Sequence, residues 1–140
     1  MDIEQAKILV KQAIKARDFA YVPYSNFSVG AALLTKTNKI YTGCNIESVS
    51  YSPTCCAERT AFFKAISDGE QSFEAIAVVG GEKNKKIQNF CPPCGVCLQV
   101  MVEFCDADKF EIILAESVEK IKVLTLKNLL PYGFKPEILN

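Results

Sequence analysis

Two short cysteine-bearing stretches constrain this chain more than anything else in it: Cys56-Ala57-Glu58 and Pro93-Cys94-Gly95-Val96-Cys97. Each reads as a helix start. Ser52-Pro53 precedes the first and Pro92-Pro93 the second, and proline favours the first helical position. A helix N-terminus presents free N–H groups and the positive end of the dipole, so it stabilises thiolates. Two such ends can converge on one cation. Three thiolates bind Zn²⁺ and leave a fourth tetrahedral position for water. Glu58 lies two residues after Cys56, placed to approach that water without ligating.

Composition removes competing chemistries. The chain has no histidine, so any mechanism that needs an imidazole is excluded. Lys+Arg and Asp+Glu stand at 16 each, which leaves no electrostatic footprint for a nucleic-acid polymer or an anionic membrane. The 140 residues fit one domain over 1–140. Seven cysteines are many for this length. The odd count and the charged Met1-Asp2-Ile3-Glu4 start argue against a secreted disulfide framework. Apolar runs fall short of the roughly 20 residues a membrane span needs. The expectation is a reduced, cytoplasmic protein whose cysteines are buried, metal-bound or catalytic.

Periodicity sets the elements. Asp2 with Gln5 predicts a capped helix start, and Ile3, Ala6, Val10, Ala13 and Ile14 carry that helix to about Phe19. Tyr21 to Asn26 is a loop. Phe27 to Thr35 and Ile40 to Cys44 form a hairpin around a turn at 36–39, with Gly30 marking a close backbone approach. A helix opening at Ser52-Pro53 buries Ala61, Phe62, Ala65 and Ile66 and ends at Gly69. Ala75 to Val79 is a strand, and Gly80-Gly81 with the basic run to Lys86 a polar loop. The second cysteine helix runs through Phe104. Phe110 to Ala115 and Ile121 to Leu126 are strands. Strands alternating with helices after a hairpin predict an α/β fold, a mixed sheet with helices on its faces.

The two cysteine stretches together match the zinc deaminase pattern, a His or Cys ligand, x, Glu, then Pro-Cys-x-x-Cys. Four flanking features sharpen the match: Tyr24-Ser25-Asn26-Phe27-Ser28-Val29-Gly30-Ala31-Ala32-Leu33, Gly43-Cys44-Asn45-Ile46-Glu47, Arg59-Thr60-Ala61 and Leu129-Leu130-Pro131. On these residues the chain resembles the small zinc-dependent cytidine deaminases, close to end to end. The resemblance implies a three-layer α/β/α fold around a mixed five-stranded sheet. It implies one zinc per chain on Cys56, Cys94 and Cys97, with Glu58 as proton shuttle. Hydroxide made available at the zinc would attack C4 of cytosine, and Glu58 would protonate N3 and then the departing amine. Arg59 would offset the excess charge of three thiolates.

The same resemblance nominates the substrate contacts. Phe27 would pack on the pyrimidine, Asn45 and Glu47 would bond the ribose 3′-hydroxyl, and the Ala57 backbone would meet the base carbonyl. Tyr51 and Phe134 would reach into a neighbouring subunit of a homotetramer. The implied substrate is a free pyrimidine nucleoside, cytidine or 2′-deoxycytidine, in salvage. Two departures stand out: Leu98 where many relatives carry Arg, and Ser48-Val49 where they often carry Asn-Ala. Alternatives remain at this stage. One is a deaminase of a cytosine-bearing antibiotic nucleoside. Another is a non-catalytic zinc module in which Cys91 joins Cys56, Cys94 and Cys97 in a closed four-cysteine site. Cys55 is a weaker candidate ligand, and Cys44 and Cys105 read as small buried hydrophobes.

Overall fold

The structure, a computed structural model, describes residues 1–139. Five strands form one sheet in the order β2-β1-β3-β4-β5: β1 (Phe27–Thr35), β2 (Ile40–Cys44), β3 (Phe73–Glu82), β4 (Glu111–Ala115) and β5 (Ile121–Thr125). The β3–β4 pair is parallel and the other three pairs are antiparallel. The expected mixed five-stranded sheet is therefore present. Its central strands carry unbroken apolar runs, Ala31 to Leu34, Ala75 to Val79 and Ile112 to Ala115, because both faces are covered there. In β1, Ala31 and Leu33 face one core while Ala32 and Leu34 face the other. In β4, Ile112 and Leu114 oppose Ile113 and Ala115 in the same way.

Helix α1 (Ile3–Arg17) covers one face, burying Leu9, Val10 and Ala13. Helices α2 (Ala57–Ser67) and α3 (Gly95–Phe104) contribute Ala61, Phe62 and Met101 to the other. Two glycines set how closely the helices approach. A Cβ on Gly30 would lie 2.0 Å from the Ala13 carbonyl oxygen, so α1 rests directly on β1. A Cβ on Gly43 would lie 2.4 Å from the Ala57 carbonyl oxygen, so the first turn of α2 rests on β2.

Three expectations are corrected. Helix α2 starts at Ala57, not at Pro53. The backbone of Cys55 is committed to a two-way bridge with Ile46, at 2.9 Å each way, and stays extended. Strand β3 runs on through Gly80, Gly81 and Glu82, which pair with Val29, Ser28 and Phe27. The partner strand overrides a local turn signal. A one-turn helix α4 (Leu126–Leu129), capped by Thr125 and Asn128, follows β5 where a longer strand was expected. A 3₁₀ turn at Pro136–Leu139 was not anticipated.

Candidate active site

Cys56 is the N-cap of α2 and Cys94 the N-cap of α3, and neither side chain caps its own helix. Neither thiol is thus spent on capping, and each sits at a helix start where free N–H groups and the positive end of the dipole lie. Pro92-Pro93 holds the approach to α3 extended, because a residue before proline avoids the helical region. Cys97 follows in the first turn of α3 and is buried. The Sγ atoms of Cys56, Cys94 and Cys97 all lie within 4.8 Å of one another, and Cys56 and Cys94 are 3.8 Å apart. Among the described residues this is the one group of cysteines or carboxylates so placed. Cys91 stays outside it, packed against the backbone of Gly80. Cys55 is also outside, accepting a hydrogen bond from the Thr60 hydroxyl.

The electrostatics of the group are those of a cation site. Without a cation the thiols share protons. Hydrogen bonding with Cys97 draws the Cys56 thiol down to about 5, and Arg59 reinforces this against partial burial. Cys97 is pushed up by the same bond. Arg59 donates from Nη2 to Cys56 Sγ at 3.4 Å and to the Thr54 carbonyl at 3.3 Å. Its Nε is buried with no partner. Glu58, in the first turn of α2, is only 4% exposed. Burial raises its carboxyl to about 7, and the Cys56 charge adds to the effect, while Cys97 and Arg59 oppose it. A carboxyl poised near neutrality can both accept and release a proton. Cys91 is pushed up to about 11, first by burial and then by Glu58 and Cys56.

A second group forms where β1 begins. The Asn45 side chain brackets β1, donating to the Phe27 carbonyl and accepting from the Val29 N–H, both at 2.9 Å. The Glu47 carboxylate accepts from the Tyr24 and Ser25 N–H groups at 3.1 Å and from the Ser25 hydroxyl. Partial burial pushes Glu47 up, but these donors outweigh it and hold the carboxyl below its ordinary value. The same Ser25 hydroxyl accepts from the Phe27 N–H at 3.0 Å, tying Glu47 to Phe27. The Phe27 ring is half-exposed and lies against Gly80. Ala57 is fully buried at the start of α2. Tyr51 and Phe134 are 73% and 59% exposed; Tyr51 meets Tyr24 edge-on, and the Phe134 backbone is held by the Gln99 side chain. Leu98 is buried in the core on the α3 side of the sheet.

Residues 3–113 match the family model described as the cytidine and deoxycytidylate deaminase zinc-binding region. The chain belongs to the cytidine deaminase family. It is 48% identical to the cytidine deaminase of Sporosarcina psychrophila over 140 residues, covering all of this chain and 96% of the relative. A probable cytidine deaminase of Dictyostelium discoideum is 40% identical over 99% of this chain and 90% of its own. Among solved structures, the cytidine deaminase of Burkholderia pseudomallei superposes with a TM-score of 0.81 at 43% identity, covering 91% of this chain and 97% of that one. The chain is thus an enzyme of the deaminase class. Its donor set also fits zinc: three sulfurs within 4.8 Å of one another suit a borderline-soft cation.

Two residues of these sites escaped the sequence reading. Ser25 holds Glu47, and only its place in the Tyr24-to-Leu33 stretch hinted at it. Arg17 holds the start of β1; its one signal was a charge at helical spacing from Val10 and Ala13, on the apolar stripe of α1.

Proposed function

We propose that this chain, as one domain over 1–140, deaminates cytidine and 2′-deoxycytidine hydrolytically to uridine and 2′-deoxyuridine, with release of ammonia. Cys56, Cys94 and Cys97 would hold one zinc ion per chain. When bound, zinc supplies the Lewis acidity that makes water nucleophilic at neutral pH. The rest falls to the protein. Glu58 takes a proton from the attacking water as the C4–O bond forms, passes it to N3, and delivers a proton to the amine as the C4–N bond breaks. Its carboxyl near 7 suits both directions of transfer. Arg59 donates to Cys56 and offsets the negative charge of three thiolates.

Phe27 packs on the pyrimidine, and the Ala57 N–H at the open end of α2 faces the base carbonyl. Asn45 and Glu47 meet the ribose 3′-hydroxyl. Glu47 is held ionised by three donors from 24–25, so it is an acceptor suited to a hydroxyl. The exposed Tyr51 and Phe134 are assigned to neighbouring sites in a homotetramer. A free nucleoside in the cytoplasm is the substrate this reading assigns. Reduced thiols suit that compartment. No helix is long and apolar enough to cross a membrane.

One observation supports this reading most: three thiols converge at two helix starts beside a buried, neutral-range carboxyl. The test is an ultraviolet assay of cytidine-to-uridine conversion, with and without a zinc chelator, alongside zinc content per chain. The expected result is chelator-sensitive turnover with one zinc per chain. Full activity in metal-free protein, or no turnover in zinc-loaded protein, would refute it.

A further inference from the structure

We propose that Arg17 is a positioning residue for the substrate pocket, acting through Phe27 and the turn after β3. The proposal rests on the role given to Phe27 above. Arg17 ends α1 and is 9% exposed, yet among the described residues no carboxylate pairs with it. A buried guanidinium is costly unless its donors are used. Here three of them are. Nε donates to the Ser28 carbonyl at 3.0 Å, Nη1 to the Lys85 carbonyl at 3.0 Å and Nη2 to the Glu82 carbonyl at 2.6 Å.

Ser28 and Glu82 sit at the paired ends of β1 and β3, and Lys85 lies in the turn beyond them, where the ladder has stopped. Ser28 follows Phe27 in β1. Glu82 and Lys85 bound the turn that leaves β3 and leads toward Cys91 and Cys94. That turn carries Lys83, Lys85 and Lys86; its own ties are exposed or local, the Lys85–Glu82 ion pair at 3.1 Å and the Lys85 N–H to the Glu82 carbonyl at 3.2 Å. The Lys83 N–H reaches back to the Asn26 carbonyl at 2.9 Å, on the other flank of Phe27. Phe27, Lys85, Lys86, Asn89 and Phe90 line a cleft of about 270 Å³. Arg17 therefore knits together the strand end and the turn that wall this cleft. The strand is held from two directions: Asn45 takes the backbone of Phe27 and Val29, and Arg17 takes Ser28 between them. The close seat of α1 on Gly30 aims the guanidinium, since a Cβ there would lie 2.6 Å from the Arg17 backbone nitrogen.

The test compares Arg17→Met and Arg17→Lys with the wild type. With Met, KM for cytidine should rise about tenfold while kcat stays within about twofold. Zinc content should remain that of the wild type. Lys keeps one donor group and should fall between. Limited trypsin digestion should cut after Lys83, Lys85 or Lys86 faster in both variants. Unchanged KM and cleavage would overturn the proposal. So would a kcat and zinc content that fall together with KM unmoved, since Arg17 would then support the fold at large. Should Arg17→Met fail to fold, Arg17→Lys carries the same comparison. The digestion also separates the two readings: absence of any cytidine turnover in the wild type would sink the proposed function, while the cleavage rates would still report what Arg17 holds.

Discussion

The thiol cluster and the Phe27 corner solve the same problem by opposite means. At the cluster, side chains do the holding: three sulfurs, Glu58 and Arg59 meet where α2 and α3 begin. At the corner, side chains grip backbone: Arg17 takes three carbonyls and Asn45 takes a carbonyl and an N–H. The first arrangement demands particular residue types at fixed spacing. The second demands only that a carbonyl be within reach, which any residue supplies. Chemistry is therefore written into one region by side-chain identity, and shape into the other by main-chain geometry.

The sharpest way to break this contrast is at the metal. Cys97→Ser should abolish deamination and zinc retention together and lower the melting temperature, because metal binding is coupled to folding. A full equivalent of zinc in that variant would contradict the ligand set. Next in size is Glu58→Gln, expected to keep zinc and fold but lose about 10²- to 10⁴-fold in kcat. Unchanged turnover would remove Glu58 from the chemistry.

A stability measurement sharpens the same point. In metal-free protein the Glu58 carboxyl sits near 7, raised chiefly by burial, against roughly 4.3 in an unfolded chain. A raised carboxyl favours the fold below the unfolded value, and that contribution is lost as pH climbs through 7. Urea unfolding at pH 5 and pH 8 should show metal-free Glu58→Gln gaining about 2–3 kcal/mol on the wild type at the higher pH. A difference that ignores pH would mean the carboxyl is not desolvated. The smallest effect is expected for Arg59→Gln, which leaves the ligands in place. Zinc affinity measured by chelator competition should fall about 10- to 100-fold. An unaltered affinity would place charge compensation elsewhere.

Legibility followed the same divide. That Cys56, Cys94 and Cys97 converge beside Glu58 could be read directly, as could the close approach at Gly30, because each chemical or steric demand admits few residues. The sheet was legible from its doubly apolar strands. The start of α2 was misplaced because Ser52-Pro53 is a sound local signal, while the Ile46–Cys55 bridge that overrides it pairs residues from separate segments. The end of β3 was missed for a related reason: Gly80-Gly81 resembles a turn until β1 is set beside it. Arg17 left almost no trace, since its partners are peptide groups.

Neither Cys56 nor Cys94 caps the helix it begins. Under the proposed zinc reading, the ion becomes the clasp between two crossings that lie on opposite sides of β3 in the chain. A growing polypeptide can fasten that clasp only once position 97 has cleared the ribosome. Until then the hairpin and the first two helices must persist on packing alone, with their sulfurs open to any soft metal that arrives first.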